Sequence, residues 1–239
     1  MVKDNRIEQL QGNDGESVYL FSSTSGGGTA GIQVGSAAHS QIVNNIITAL
    51  IGGRGADIVE HWTPASEGGD AIGINVSGGL SQVWNNTVYD VRGGAGGQPD
   101  QLAGASAGLQ VGEMVNVLVI NNAFISNTVG VSATASNYLW DYNALWHNTL
   151  NYSGIVTGPH DLSANPWFVD SVNGDFHLKF VSPLIDAGFT LGAPLHDFYR
   201  NPRPIDGNHD GIARTDIGAT EYQLVPLNTA FLPIVFTQH

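Results

Sequence analysis

The feature that most constrains this chain is a phrase it repeats. "IVNNII" at 42–47, "VWNNTV" at 83–88, "VINNAF" at 119–124 and a weaker "WDYNAL" at 140–145 place Asn45, Asn86, Asn122 and Asn143 in one column. Two residues later, Ile47, Val88, Phe124 and Leu145 form an apolar column. Upstream, "GIQV" at 31, "GINV" at 73, "GLQV" at 108 and "GVSA" at 130 supply Ile32, Ile74, Leu109 and Val131, then Val34, Val76, Val111 and Ala133. From the first of these columns to the apolar residue after the Asn the distance is 15, 14, 15 and 14 residues. The start of the chain joins the register, with Asn5 matching Asn45 and Ile7 matching Ile47. A constant inner spacing between variable loops marks a stacked structural unit.

The intervals between the Asn positions are 40, 41, 36 and 21 residues, so the shortest is the bare unit and the others carry insertions. A bare unit of this length, with short apolar segments separated by Gly or Asn, suits one coil of a parallel β-helix. A leucine-rich repeat needs a regular Leu/Asn framework that is missing, and a propeller blade of about 40 residues conflicts with the short interval. Asn is a poor strand former, so the doublets mark bends, where Asn tolerates the left-handed conformation and bonds the backbone. Stacked Asn side chains can pair along the stack as in other cross-β ladders. The expected fold is all-β: a single-stranded right-handed parallel β-helix with long loop insertions and a C-terminal cap segment. Residues 1–160 hold the coils, 161–223 the end of the helix and its cap, and 224–239 a tail containing the apolar "FLPIVF".

Composition agrees. Gly is 31 of 239 residues, and charged residues are 12%, half the share of about 25% in typical domains. The net charge of -13 argues against a nucleic-acid partner. It suits an extracellular surface or a divalent cation site. Cysteine is absent, which removes disulfides and Cys-based metal sites. No apolar run of 18 residues exists, so no transmembrane helix is expected. "MVKDNRIEQL" lacks an apolar signal core and begins inside a repeat. Any export signal would have been removed or lie upstream, and further domains of a longer chain are expected.

Three insertions leave the stack at one register, 12–30, 52–72 and 93–107, and should pile into one ridge. The middle one carries Asp57, Glu60, His61, Trp62, Glu67 and Asp70, the densest polar and aromatic cluster on the chain. Function favours loops on a rigid scaffold, and an exposed Trp beside carboxylates is what a sugar cleft needs. On this reading Asp57, Glu60, His61 and Asp70 are the candidate catalytic groups. Trp62 is the sugar platform, and Arg54 and Arg92 are the cations a lyase would set against an acidic sugar. The other reading is that Trp62 pins the loop and the acids are solvated. Asp14 and Arg54 should face each other on neighbouring coils.

In "DGNHDG" at 206–211, Asp206, Asn208 and Asp210 alternate before Gly211, as in the first half of an EF-hand loop. Ile217 stands where that loop has its bidentate Glu, so Asp216 or Glu221 would have to complete a Ca²⁺ shell. The same composition also makes an ordinary turn.

The C-terminal phrases "PWFVD" at 166–170, "GDFHL" at 174–178, "SPLIDAG" at 182–188 and "DIGATE" at 216–221 resemble the C-terminal part of secreted bacterial right-handed parallel β-helix proteins, including those with a choice-of-anchor Q region. That group includes polysaccharide lyases, hydrolases, epimerases and proteins without an assigned activity. The resemblance implies a secreted or cell-surface location and carbohydrate as the partner class. It transfers no catalytic signature, and the only lysines are Lys3 and Lys179. Two functional classes follow: an extracellular carbohydrate-recognising protein acting as a polysaccharide lyase or glycoside hydrolase, or a non-catalytic surface or adhesion module.

Overall fold

The computed structural model describes residues 1–14, 17–18, 22–23, 25–35, 39–58, 65–99, 101–113, 115–134 and 137–223. Three parallel five-stranded sheets stack into the arrangement of a parallel β-helix. The first coil contributes β1 (Val2–Lys3), β2 (Arg6–Glu8) and β5 (Thr29–Val34), with a short antiparallel pair of β3 (Ser17–Val18) and β4 (Ser22–Ser23) inside its insertion. The second is β6 (His39–Val43), β7 (Ile46–Ile51) and β8 (Ala71–Val76). The third is β9 (Gly79–Trp84), β10 (Thr87–Arg92) and β11 (Ser106–Val111). β12 (Val115–Ile120), β13 (Ala123–Ile125) and β14 (Val129–Ala133) form the fourth, and β15 (Asn137–Asp141), β16 (Ala144–Trp146) and β17 (Leu150–Ser153) the fifth.

The register is the one the repeat dictates. Ile7, Ile47, Val88, Phe124 and Leu145 lie in line across the middle sheet, and Ile32, Ile74, Leu109 and Val131 across the third. Both rows point inward and, Ile7 apart, are buried, joined by Trp140 stacked on Phe124. Each such aliphatic side chain contributes about 1.5–3 kcal/mol.

The two asparagines of each doublet do different work. Asn44, Asn85 and Asn121 take left-handed backbone, φ 53, 53 and 58°, and make the corner. The residue after each is buried and forms an amide ladder. Asn45 donates its backbone N–H and its side-chain amide to Asn86 Oδ1 at 3.0 and 2.9 Å. Asn86 does the same to Asn122 at 2.9 and 2.9 Å, and Asn122 to Asn143 at 2.9 and 3.0 Å. Asp161 ends the ladder, accepting from Asn143 N at 2.8 Å, Gly158 N at 2.8 Å, the Tyr152 hydroxyl at 2.8 Å and the Trp140 indole. A site with four donors and nothing to pass on needs a pure acceptor, which is a carboxylate. Burial first, and then the Asp161 charge, push the Tyr152 hydroxyl far above its ordinary range.

A second left-handed column stands five residues further along each coil: Gln9, Ala49, Asp90, Ser126 and His147, φ 54–61°.

The C-terminal segment departs from the expected end cap. Only its first residues close the helix, where Leu162 bridges to Ala144. The rest runs along the side of the coils. It includes the antiparallel pair β18 (Phe168–Asp170) and β19 (Asp175–Leu178). The reason is the outer face of the middle sheet, which is apolar as well. Ile46, Ala123, Ile125 and Ala144 form a second core with Phe168, Phe176, Leu184 and Ile217. The corner asparagines supply polar docking points along the same seam. Asn44 donates to His196 O at 2.6 Å, Asn85 to Asp216 O at 3.0 Å, and Asn121 to Phe189 O at 2.8 Å.

Candidate functional site

The described legs of the insertions do form one body, but it is built from backbone. Their extended legs zigzag between outgoing and returning runs through Gly27 N to Asn13 O (2.6 Å), Gly53 N to Gly27 O (2.9 Å), Gly69 N to Gly53 O (2.8 Å), Gly94 N to Gly69 O (2.8 Å) and Gly104 N to Gly94 O (2.9 Å). Stacked outgoing legs are joined at every third residue, by Gly52 N to Arg92 O (3.0 Å), Gly55 N to Ala95 O (2.8 Å) and Ile58 N to Gln98 O (2.9 Å). Three residues per turn is the period of polyproline II, which has no internal hydrogen bonds and must send its N–H groups to neighbours. The close approach requires glycine: a Cβ on Gly53 would lie 1.9 Å from Asn13 O, and one on Gly94 1.9 Å from Gly53 O.

The candidate acids here hold this slab together. Asp14 Oδ1 accepts Arg54 N at 2.8 Å, Asp57 Oδ1 accepts Gln98 N at 2.6 Å, and Asp70 Oδ1 accepts Ala105 N at 2.7 Å. Asp14 and Arg54 are neighbours as expected, but the carboxylate takes the backbone N–H and the guanidinium turns to Asp57. That guanidinium, and then the Gln98 N–H, hold the Asp57 carboxyl below the usual carboxylate range. Arg92 pairs with Asp90 at 2.5 Å beside the root of the slab. Glu60, His61 and Trp62 lie outside the described residues, as does the tail 224–239.

In the Asp-rich loop, Asp206 accepts from Asp210 N at 3.2 Å and Gly211 N at 3.0 Å, Asn208 from Asp210 N at 2.9 Å, and Asp210 from Ile212 N at 2.8 Å. Asp216, the fourth candidate ligand, is buried and its two oxygens accept Asp186 N at 2.7 Å and Tyr222 N at 2.6 Å. Among the described residues, no group of three or more His, Cys, Asp or Glu is arranged to hold a metal ion. Asp216 belongs instead to a buried polar cluster built from the C-terminal phrases. Arg203 and Glu221 pair at 2.8 Å with both side chains fully buried, and Arg203 also donates to Asn44 Oδ1 at 3.2 Å. Burial first, and then the charge of Glu221, raise the Asp216 carboxyl well above the ordinary range. Glu221 is raised by burial against the opposing pull of Arg203.

Aromatic and polar side chains converge at a different place, where the C-terminal segment meets the last coils. A cleft of about 260 Å³ opens between Tyr89, Trp146 and Trp167, with Ser126, His147 and Asn165 among its lining. Trp146 follows from the outward phase of β16, opposite Ile125. Trp167 is 47% exposed and has φ 50°, rare for a bulky residue. Its N–H is fixed by Asn165 Oδ1 at 2.9 Å, and its carbonyl takes Lys179 N at 2.9 Å. The Tyr89 ring is set edge-on against Phe176 at 5.5 Å. Ser126 and His147 are consecutive members of the second left-handed column, and Ser126 Oγ lies 3.3 Å from His147 Nδ1. Sequence reasoning missed this cleft because its walls come from residues spread over 89–171. The available signal was the column itself, where Ser126 and His147 each follow a ladder Asn by the same four residues.

No protein-family model, no curated protein and no solved structure matches the chain.

Proposed function

We propose that this is a secreted or cell-surface protein, its coils wound right-handed, that recognises carbohydrate in the cleft between Trp146 and Trp167. One observation carries the reading: two indoles and a phenol line a concave surface together with a hydroxyl, an imidazole and a carboxamide. A sugar ring offers an apolar face to stack and hydroxyls at its edge to bond, and an aromatic wall with polar neighbours matches both. The half-exposed Trp167, held by backbone bonds on both sides, is the platform. The C-terminal resemblance to secreted β-helix proteins supports the same partner class.

A glycan array with the purified protein, followed by titration calorimetry on the best ligand, tests it. Trp167→Ala should weaken binding by about 1–3 kcal/mol, by analogy with base–aromatic stacking, while leaving the melting temperature nearly unchanged. Failure of the wild type to retain any glycan, or equal binding by the variant, would overturn the assignment.

A further inference from the structure

We infer that the cleft hydrolyses an ester carried by its bound sugar, with Ser126 as nucleophile and His147 as base; this rests on the carbohydrate reading above. The geometry is fixed by the fold. Ile125 and Trp146 are register partners, and Ser126 N donates to Trp146 O at 3.0 Å, so the next residue on each strand is locked beside the other. Both then adopt left-handed backbone, φ 59° and 57°, and both side chains line the cleft. The 3.3 Å separation of Ser126 Oγ and His147 Nδ1 is within the range of a nucleophile and its base before substrate tightens the contact. For Nδ1 to accept, the proton of the neutral ring sits on Nε2, which has no partner among the described residues. In the other coils this column carries Gln9, Ala49 and Asp90, so the hydroxyl–imidazole pair occurs only where the cleft is.

The remaining requirement is a donor for the charge that develops on the acyl oxygen. Asn165 lines the same cleft with its Oδ1 committed to Trp167 N, and its Nδ2 has no acceptor among the described residues. In the reaction, Ser126 Oγ attacks the acyl carbon as its proton passes to His147 Nδ1. The acyl C–O bond to the sugar breaks, and the departing sugar oxygen takes that proton. Water, deprotonated by the same nitrogen, then attacks the acyl-serine, releasing the carboxylic acid and restoring the hydroxyl. An O-acyl sugar, held by its ring against the indoles, is the substrate class.

The test measures acetate release from acetylated xylan and from 4-nitrophenyl acetate by the wild type, Ser126→Ala and His147→Gln. A fluorophosphonate probe with peptide mapping locates the reactive serine. Both variants should lose about 100-fold or more of the release and keep the wild-type melting temperature. Labelling should fall on Ser126 and vanish in His147→Gln. Release unchanged in Ser126→Ala, or a wild type that neither releases acetate nor takes the label, overturns the inference. If in that last case the glycan still binds and Trp167→Ala weakens it, only the chemistry falls. If the chromogenic ester is cleaved through Ser126 but no glycan is retained, the dyad stands and the carbohydrate reading falls.

Discussion

Replacing Asn122 tests the amide ladder at its middle. The side chain is fully buried. Its oxygen accepts the Asn86 N–H and side-chain amide, both at 2.9 Å, and its own amide reaches Val83 O at 2.8 Å, Ile120 O at 3.0 Å and Asn143 Oδ1 at 3.0 Å. Asn122→Ala orphans the Asn86 backbone N–H in a dry interior, at about 1–3 kcal/mol, and removes at least two further bonds worth about 0.5–1.5 kcal/mol each. The expected loss is therefore about 2–6 kcal/mol, a large part of a typical stability of about 5–15 kcal/mol. Asn122→Asp is the sharper variant. Its carboxylate still serves Asn86 but turns an oxygen toward three acceptors, so its folded-state pKa must rise. A raised pKa means stability is recovered as the pH falls toward the unfolded carboxylate value of about 4. Urea unfolding followed by circular dichroism at pH 7.5 and pH 5 reads both effects. A loss below about 1 kcal/mol for Ala, or an Asp variant equal to wild type at pH 7.5, would refute the ladder as a source of stability.

Three other outcomes are expected. Gly53→Ala should lower the melting temperature and expose the insertions to limited proteolysis, because its Cβ would stand 1.9 Å from a backbone oxygen; an unchanged digestion pattern would show that the slab can give way at no cost. Burial, with the neighbouring Glu221 charge, raises the Asp216 carboxyl, so the folded state binds that proton more tightly and the melting temperature should rise as the pH falls from the alkaline side toward the ordinary carboxylate range. Glu221→Gln leaves Arg203 buried without a counter-charge, at about 3–5 kcal/mol; a flat pH profile with a harmless Glu221→Gln would contradict the cluster. For the proposed Ca²⁺ loop, millimolar calcium should raise the melting temperature by mass action and Asp206→Asn with Asp210→Asn should abolish the rise, whereas no response to calcium or chelator removes the idea.

The coil register was legible because each coil restates it: one misplaced residue would turn Ile47 or Leu109 out of the core. The shared exit point of the insertions was legible for the same reason. Beyond that, local pattern fell short in identifiable ways. The doublets gave no hint that one Asn makes the corner and docks a distant segment while the next builds the ladder, because both are simply Asn. Asp161 continues the Asn column but looks like an ordinary loop acid until its four donors are seen. The glycines showed in the sequence only as an excess and as separators of apolar segments, whereas their role in the insertions is to let carbonyls approach from a neighbouring leg. The acids beside them read as chemistry, and the backbone amides that occupy Asp57 and Asp70 are one coil away, invisible in a linear string. The cleft depends on the C-terminal segment lying beside the coils, which follows from a sheet that is apolar on both faces.

The glycine slab gives this molecule a mixed heat-capacity character. Exposing apolar surface on unfolding raises the heat capacity by about 0.45 cal/K/mol per Å², while exposing polar surface lowers it by about 0.26. The two side-chain cores belong to the first kind and weaken on cooling. The slab, whose interior is peptide groups packed on peptide groups, belongs to the second, so its contribution should curve with temperature in the opposite sense and hold in the cold. Chilled, the chain relies on the slab; warmed, on the aliphatic columns behind it.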